Sequence, residues 1–283
     1  AKETDAELVM ASDPDADRVG AAVKNNEGEW VLLNGNQTAL MFVYYLITRW
    51  KELGKINGKE YIVKTIVTTE TIKTIAERNG VEMYDVYTGF KWIANVMREN
   101  EGKKNYIGGG EESYGFLCED FVRDKDAVSA CVILAEIAAW AKDQGLSLYQ
   151  LLQKIYVEYG FSKEKGISVV KKGKSGAEEI EAMMKKFREN PLTEIAGSKV
   201  TYFYDYSTLK GKDYAENETV TLDMPTTSNV LQYFTEDNTK VSIRPSGTEP
   251  KIKFYCEVHS KVKNIDELPE AEKAAEEKIN QIK

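Results

Sequence analysis

The chain has 283 residues, of which 42% are hydrophobic and 30% charged, and its formal net charge is -8. This length allows two domains with sizeable cores. The acidic balance argues against a general nucleic-acid binder, whose affinity comes from neutralising phosphates. Three widely spaced cysteines without a CxxC pair favour a reducing, cytoplasmic compartment and no disulfides. The most apolar run, 127–141, is shorter than the roughly 20 residues of a membrane span. We therefore expect a small-molecule partner rather than nucleic acid or membrane, with the oligomeric state open.

The first motif is an acidic loop that follows a short apolar strand, predicted at 8–12. Its sequence, DPDADR, places Asp13, Asp15 and Asp17 on alternate positions, with Arg18 beside them. Three carboxylates this close repel one another unless a cation neutralises them, and oxygen ligands are typical of Mg²⁺, Mn²⁺ or Ca²⁺. Magnesium keeps ligand positions for phosphate oxygens, so the loop predicts phosphoryl-transfer chemistry with Arg18 as a second anchor.

Two other kinds of motif also contain alternating aspartates, and each requires particular residues nearby. An EF-hand needs glycine where Arg18 stands and glutamate where Lys24 stands, so it is excluded. A phosphatase of the haloacid-dehalogenase type also has two alternating aspartates after an apolar strand, and it would make Asp13 a covalent nucleophile. That possibility stays open, as does a plain acidic surface turn.

After this loop, strand and helix patterns alternate as far as residue 159. Two apolar runs joined by the turn 25–28 predict a hairpin. Helices are predicted at 38–50, 70–79, 88–98, 126–144 and 147–159, and strands at 61–67, 81–86 and 105–107. The alternation predicts a parallel α/β sheet.

Three stretches of this region carry side chains suited to a ligand. In TGFKWI, Lys91 lies on the first turn of a predicted helix and is available to an anion. In GGGEESYGF, successive glycines allow backbone to approach a ligand, and Glu111 and Ser113 offer groups suited to sugar hydroxyls. Lys125 precedes the long helix, whose N-terminus is itself an anion site. A flexible glycine turn and solvated surface charge are the alternatives.

Near residue 160 the pattern changes to one that indicates a separate α+β domain. Strands are predicted at 167–171, 199–205, 219–222 and 230–234, and helices at 177–188 and 268–283. In KVSIRPSGTEPKIKFY, a tight loop between two strands offers backbone N–H groups, hydroxyls and a guanidinium to one anion. Arg244 can bind phosphate through two hydrogen bonds, with Ser246 and Thr248 around it. An ordinary β-turn is the alternative.

These motifs, in this order, resemble the α-D-phosphohexomutase superfamily, the phosphoglucomutase and phosphomannomutase enzymes. DPDADR looks like the metal loop, GEESYG like the sugar-binding loop and RPSGTEP like the phosphate-binding loop. The resemblance implies a mixed α/β sheet domain followed by an α+β C-terminal domain. In this interpretation, 1–34 is the end of domain two with the metal loop, 35–159 is the sugar-binding domain three, and 160–283 is the phosphate-binding domain four.

The resemblance also implies an activity. In this family a phosphoserine passes its phosphoryl group to a hexose phosphate, and the resulting bisphosphate reorients, so that hexose 1-phosphate and hexose 6-phosphate interconvert. The implied cofactors are Mg²⁺ and hexose 1,6-bisphosphate, and the implied partner is a sugar phosphate, glucose before mannose. No segment resembles the family's TASHNP serine motif, so we expect a C-terminal portion that is inactive alone. A phosphopentomutase, an aspartate-nucleophile phosphatase and a non-catalytic sugar-phosphate-binding module remain alternatives.

Residue roles follow from the same resemblance. Asp13, Asp15 and Asp17 are implied to bind Mg²⁺, and Arg18 to act catalytically at the phosphoserine. The residues implied to bind substrate are Thr88, Gly89, Lys91, Glu111, Ser113, Lys125, Arg244, Ser246, Gly247 and Thr248.

Overall fold

The computed structural model describes residues 1–171, 173–247 and 249–283. Their contacts divide into two compact units, 1–160 and 161–283, each with a buried apolar core of its own. Within these residues, no helix is both long enough and apolar enough to cross a membrane.

The first unit opens with a small antiparallel sheet. Its strands are β1 (Leu8–Ser12), β2 (Val19–Lys24) and β3 (Trp30–Leu33). Alternate residues of β2 are buried, as expected when one face of a strand packs on a core. Asn25 and Glu29 pair across the turn, and Gly28 takes a φ of 79°. The predicted hairpin is confirmed.

The rest of the first unit is a four-stranded sheet with helices. Its elements are α1 (Gly35–Glu52), β4 (Glu60–Thr65), α2 (Thr71–Arg78), β5 (Glu82–Val86), α3 (Phe90–Asn100), β6 (Asn105–Gly110), β7 (Phe116–Cys118), α4 (Ala127–Asp143) and α5 (Leu148–Tyr159). The strand order is β5-β4-β6-β7. The first three strands are parallel, as the alternation predicts, and β7 is antiparallel, so the sheet is mixed, as the family resemblance implies.

Capping side chains set where the helices begin. Asn34 and Gln37 form a reciprocal capping box, so α1 starts at Gly35, three residues before the predicted start. Ser147 and Gln150 do the same for α5. Local hydrogen bonds therefore determine the residue at which each of these two helices begins.

The glycines of GGGEESYGF were expected to let backbone approach a ligand, with a flexible glycine turn as the alternative, and the structure instead places the first three in a strand. Gly108, Gly109 and Gly110 are the last three residues of β6 and are buried. A Cβ on Gly109 would lie 2.4 Å from the carbonyl oxygen of Val63, and one on Gly110 would lie 2.5 Å from the ring of Phe116. These glycines are required by close packing of the sheet.

The second unit is an antiparallel sheet with two helices. Its elements are β8 (Phe161–Val170), α6 (Gly173–Glu189), β9 (Glu194–Ile195), β10 (Ser198–Asp205), β11 (Lys210–Asp213), β12 (Glu218–Thr221), β13 (Leu231–Thr235), β14 (Thr239–Pro245), β15 (Lys251–Ser260) and α7 (Leu268–Ile282). The strand order is β12-β11-β10-β13-β14-β15-β8, and β9 pairs with β10. The predicted α/β class, a mixed α/β domain followed by an α+β domain, is confirmed.

We predict that Gly35→Ala destabilises the first unit. The new Cβ would lie 2.0 Å from the carbonyl oxygen of Glu112, and because the clash is with backbone, one of the two segments must move. The expected loss in free energy of unfolding is about 1–3 kcal/mol. All four tryptophans lie in this unit, so their fluorescence during urea unfolding reports on it alone.

The matched control for this prediction is Gly20→Ala. Gly20 lies in the same unit, and a Cβ there would meet only Ala11 O, at 3.9 Å. Equal urea midpoints for the two variants would contradict the proposed close packing.

Candidate functional site

The site of the first unit lies where the parallel strands β4, β5 and β6 end. Side chains from loops at this edge of an α/β sheet commonly form ligand sites. The segments that meet here are 13–18, 88–91, 111–115 and 123–127. The Gly89 N–H donates to Glu111 Oε1 at 2.7 Å, and the Ala127 N–H donates to the carbonyl oxygen of Ala16 at 3.0 Å. The predicted sugar-binding loop (residues 111–115, the sugar loop) is thus hydrogen-bonded to the start of α3. The acidic loop (residues 13–18) is hydrogen-bonded to the start of α4.

Lys125 connects three of these segments. Its Nζ lies 2.9 Å from Asp17 Oδ2 and 3.2 Å from Asp124 Oδ1. Its aliphatic stem packs on Gly115, where a Cβ would lie 2.2 Å from Lys125 Cδ, and its Nζ lies 5.6 Å from the centre of the Phe90 ring. The side chain is 12% exposed. Lys125 therefore spans the acidic loop, the sugar loop and the start of α3.

The N-terminus of α4 was expected to be available to an anion, but it is already capped. Asp126 caps it, because its carboxylate accepts hydrogen bonds from the N–H groups of Val128 and Ser129. The carboxylate thus occupies the position that an anionic ligand would take. The positive charge that Lys125 brings to this region is directed at Asp17 instead.

Arg18 and Lys125 offset part of the negative charge of the acidic loop. Asp13 Oδ1 accepts from the N–H groups of Asp17 and Arg18 at 3.2 and 3.3 Å. Arg18 Nε lies 3.6 Å from Asp17 Oδ1 and 3.9 Å from Asp13 Oδ2. The hydrogen bond from Lys125 lowers the pKa of Asp17, against the opposing effect of burial. Asp15 is exposed.

The fit of this loop to a divalent cation rests on its oxygen atoms. Asp17 Oδ1 is buried and receives no hydrogen bond, which suits a cation, and all three aspartates supply the oxygen ligands that Mg²⁺ prefers. Among the described residues, however, no three acidic, histidine or cysteine groups are gathered as a metal-ligand set. Asp13 accepts a hydrogen bond from the loop backbone, and Asp17 is paired with Lys125.

The sugar loop is held in a tight turn. The Glu111 N–H donates to Gly115 O at 2.8 Å, and Tyr114 takes a φ of 72°, which is unusual for a residue other than glycine. The Val19 N–H donates to the carbonyl oxygen of Tyr114 at 3.1 Å. Glu111 is buried and Ser113 half-buried. Glu111 Oε1 accepts the hydrogen bond from the Gly89 N–H, and Oε2 takes no part in that bond.

A cavity of about 770 Å³ lies between α3 and residues 123–125. It is lined in part by Gly89, Lys91 and Lys125, and Thr88 next to them is half-buried. Lys91 is exposed, with its Nζ 5.0 Å from the centre of the Trp92 ring. Two arginines, Arg98 and Arg123, and two acids, Glu101 and Asp124, complete the charged lining. Arg123 pairs with Glu101, and Lys125 pairs with Asp17 and Asp124, so the positive charge that suits an anion comes mainly from Lys91 and Arg98.

In the second unit, the loop RPSGTEP joins β14 to β15. The Ser246 N–H donates to Lys251 O at 2.7 Å, which closes the loop tightly. Arg244 and Ser246 are half-buried and Gly247 is exposed. Thr248 lies outside the described residues. The structure thus brings Arg244, Ser246 and Gly247 to one end of a hairpin.

Sequence reasoning missed Lys253 beside this loop. In the β14–β15 register, Lys253 is directly opposite Arg244, so the two side chains lie on the same face of the sheet. Neither forms an ion pair within the residues that the structure describes. Like charges at opposite positions repel, and a bound anion would offset that repulsion. The alternation of lysines in KIKFY was the available signal.

Comparison with known proteins matches both units to one family. The model for phosphoglucomutase/phosphomannomutase, alpha/beta/alpha domain III, matches residues 34–159, and the model for the C-terminal domain of the same enzymes matches residues 168–275. The chain belongs to the phosphoglucomutase/phosphomannomutase family. The superfamily resemblance seen in the three motifs is confirmed.

A curated relative is similar to this chain in sequence, and two solved structures share its fold. A phosphoglucomutase of Staphylococcus aureus (strain USA300) is 37% identical over 268 residues, which are 95% of this chain and 47% of the relative. A phosphoglucomutase/phosphomannomutase family protein from Burkholderia thailandensis has a TM-score of 0.58 at 20% identity, covering 97% of this chain and 48% of that one. The parafusin phosphoglucomutase from Paramecium also has a TM-score of 0.58, at 17% identity, covering 97% of this chain and 45% of that one. The chain spans about half the length of these relatives.

We predict that Lys125→Gln destabilises the first unit at neutral pH. The change removes the closer of the two cations beside Asp17, the other being Arg18, and the expected cost in free energy of unfolding is about 1–2 kcal/mol. Lys125 lowers the pKa of Asp17, so the pair stabilises the fold above the unfolded pKa of the carboxyl and loses that contribution as pH falls through the folded value. Urea midpoints of the two proteins should therefore converge in acid.

The control for this variant is Lys142→Gln. Its ion pair with Glu7 is about 70% exposed on both sides, so the expected loss is below about 0.5 kcal/mol. A pH-independent difference between Lys125→Gln and the parent protein would contradict the role assigned to Asp17.

Proposed function

We propose that this chain supplies the sugar-binding and phosphate-binding parts of a phosphohexomutase that interconverts hexose 1-phosphate and hexose 6-phosphate, with glucose preferred over mannose. The reaction would pass through a phosphoserine, supplied from outside these residues, and a hexose bisphosphate. The observation that supports this most is the joining of Asp17, Lys125, Gly89 and Glu111 in the first unit, beside a cavity with excess positive charge.

In this proposal the sugar loop recognises hydroxyl groups. Glu111 accepts from sugar hydroxyls through the oxygen not committed to Gly89, and Ser113 offers a hydroxyl from the same turn. Thr88 and Lys91 contact the substrate from the start of α3. The fixed position of Glu111 lowers the entropy lost when it binds a ligand, which favours specificity.

The second unit would hold the phosphate that does not react. In this proposal Arg244 binds the phosphate through two hydrogen bonds, Ser246 and Gly247 add hydroxyl and backbone donors, and Thr248 is assigned to the same phosphate by the family resemblance alone. Binding one phosphate away from the reacting phosphoryl group allows either end of the sugar to be placed where the phosphoryl transfer occurs. By the same family resemblance, residues 1–34 would be the end of domain two, residues 35–159 domain three and residues 160–283 domain four.

The acidic loop would hold Mg²⁺ through Asp13, Asp15 and Asp17. When bound, the metal offsets negative charge on the transferring phosphoryl group. Arg18 would assist at the phosphoserine, since its guanidinium already lies beside Asp13 and Asp17. We also propose a reducing, cytoplasmic setting, in keeping with three free thiols.

Phosphorus NMR of glucose 1-phosphate with this chain and Mg²⁺ tests the proposal. We expect the phosphate signal to broaden on binding and no new signal to appear. Arg244→Ala should weaken binding about tenfold, because a charge-assisted hydrogen-bond pair to phosphate is lost. Lys210→Ala is the matched control, since it removes the same charge from an exposed position on β11.

Other results would change the assignment. Growth of glucose 6-phosphate would show that these residues contain a nucleophile, against the proposed external serine. Release of inorganic phosphate would favour a phosphatase using Asp13. No broadening at millimolar sugar phosphate, or equal binding by Arg244→Ala and Lys210→Ala, would overturn the phosphate-binding role.

A further inference from the structure

Glu112, the second glutamate of the sugar loop, has a different environment from Glu111. Its Oε2 accepts a hydrogen bond from Thr65 Oγ1 at 3.1 Å and another from Thr68 Oγ1 at 3.4 Å. The two threonine hydroxyls lie 2.9 Å apart, and both threonines are fully buried. Burial, together with the nearby carboxylate of Glu111, raises the pKa of Glu112. The Glu112 side chain thus anchors the loop to the sheet beneath it.

The two threonines lie beside a partly buried network of charged side chains. Thr65 is the last residue of β4, and Thr68 lies in the turn that follows it. The buried ammonium group of Lys64 lies 2.7 Å from Asp85 Oδ1 and 3.0 Å from Glu70 Oε1, and it also donates to Thr68 O at 3.4 Å. The partner of Glu112 is therefore fixed by a charged network that spans β4 and β5.

The backbone of Glu112 is fixed from the other side by α1. The Glu112 carbonyl would lie 2.0 Å from a Cβ at Gly35, so only glycine permits this approach. The next residue of α1, Asn36, accepts from the N–H of Thr69 at 3.0 Å, which ties the helix start to the turn holding Thr68. Glu112 is thus constrained through its side chain and its main chain at once.

From these contacts we propose that Glu112 is a positioning residue for sugar recognition, which holds Glu111 in the orientation seen here by anchoring the loop to Thr65 and Thr68. The proposal rests on the function proposed above, because it takes Glu111 to be a sugar-hydroxyl ligand. Glu112 acts on sugar binding only by holding Glu111 in place. The hydrogen-bond acceptor oxygen of Glu112, rather than its negative charge, is responsible for this positioning.

The test compares Glu112→Ala with Glu112→Gln. Alanine removes the acceptor, whereas glutamine keeps an oxygen acceptor of similar reach. The first measurement is amide hydrogen exchange without ligand at Gly89, which donates to Glu111, and at Glu111 itself. We expect about tenfold faster exchange in Glu112→Ala, the effect of losing one or two hydrogen bonds, and less than about threefold in Glu112→Gln.

The second measurement is the affinity for glucose 1-phosphate by phosphorus NMR. We expect Glu112→Ala to bind about tenfold more weakly than the parent chain and Glu112→Gln to bind within about threefold of it. Glu77→Ala is the matched control, because Glu77 is an exposed glutamate on α2. A purely structural role would instead speed exchange across the sheet core, including Ile62 and Ile107, in step with Gly89.

Three results would overturn the positioning role. They are unchanged exchange at Gly89 and Glu111 in Glu112→Ala, an equal effect of Glu112→Gln and Glu112→Ala, and uniform acceleration across the core. If Glu112→Ala does not fold, Thr65→Val removes one donor to the same oxygen at similar size and is expected to accelerate exchange at Gly89. If the parent chain binds no glucose 1-phosphate while the exchange results hold, the proposed function fails and the anchoring role of Glu112 stands.

Discussion

The close approach of backbone to its neighbours at two glycines is the constraint on which the site of the first unit depends. Gly35 lets the start of α1 press against the carbonyl of Glu112, and Gly115 lets the stem of Lys125 lie across the sugar loop. A side chain at either position would separate the loop from its support. The loop therefore owes its shape to the missing Cβ atoms of these residues as much as to its own hydrogen bonds.

Electrostatic balance in the acidic loop comes from within the chain. Asp13, Asp15 and Asp17 would repel one another, and the structure offsets this with Arg18 and with Lys125, which lies more than a hundred residues away in the sequence. Because Lys125 is also packed on the sugar loop, a single side chain contacts both loops. A divalent cation that bound Asp17 would compete with Lys125 for the same carboxylate.

Local patterns predicted most of the helices and the first hairpin, because burial repeats and capping residues act over a few positions, whereas the mixed sheet was implied by the family resemblance. The short polar strands β9 and β11 were missed, since neither carries an apolar run. The motif residues were recognisable in the sequence, but their partners were not. Nothing in the letters EE distinguishes Glu111, which accepts from Gly89, from Glu112, which is anchored by Thr65, because that difference depends on tertiary contacts.

The second unit has a folding consequence that follows from its strand order. Its first strand, β8, pairs along its whole length with β15, from Phe161 opposite Ser260 to Val170 opposite Lys251. The sheet therefore cannot be completed until a strand about ninety residues later has been synthesised. Until then β8 presents an unpaired edge, and we expect this unit to fold slowly and late, with its nascent form more prone to pair with other chains than the first unit.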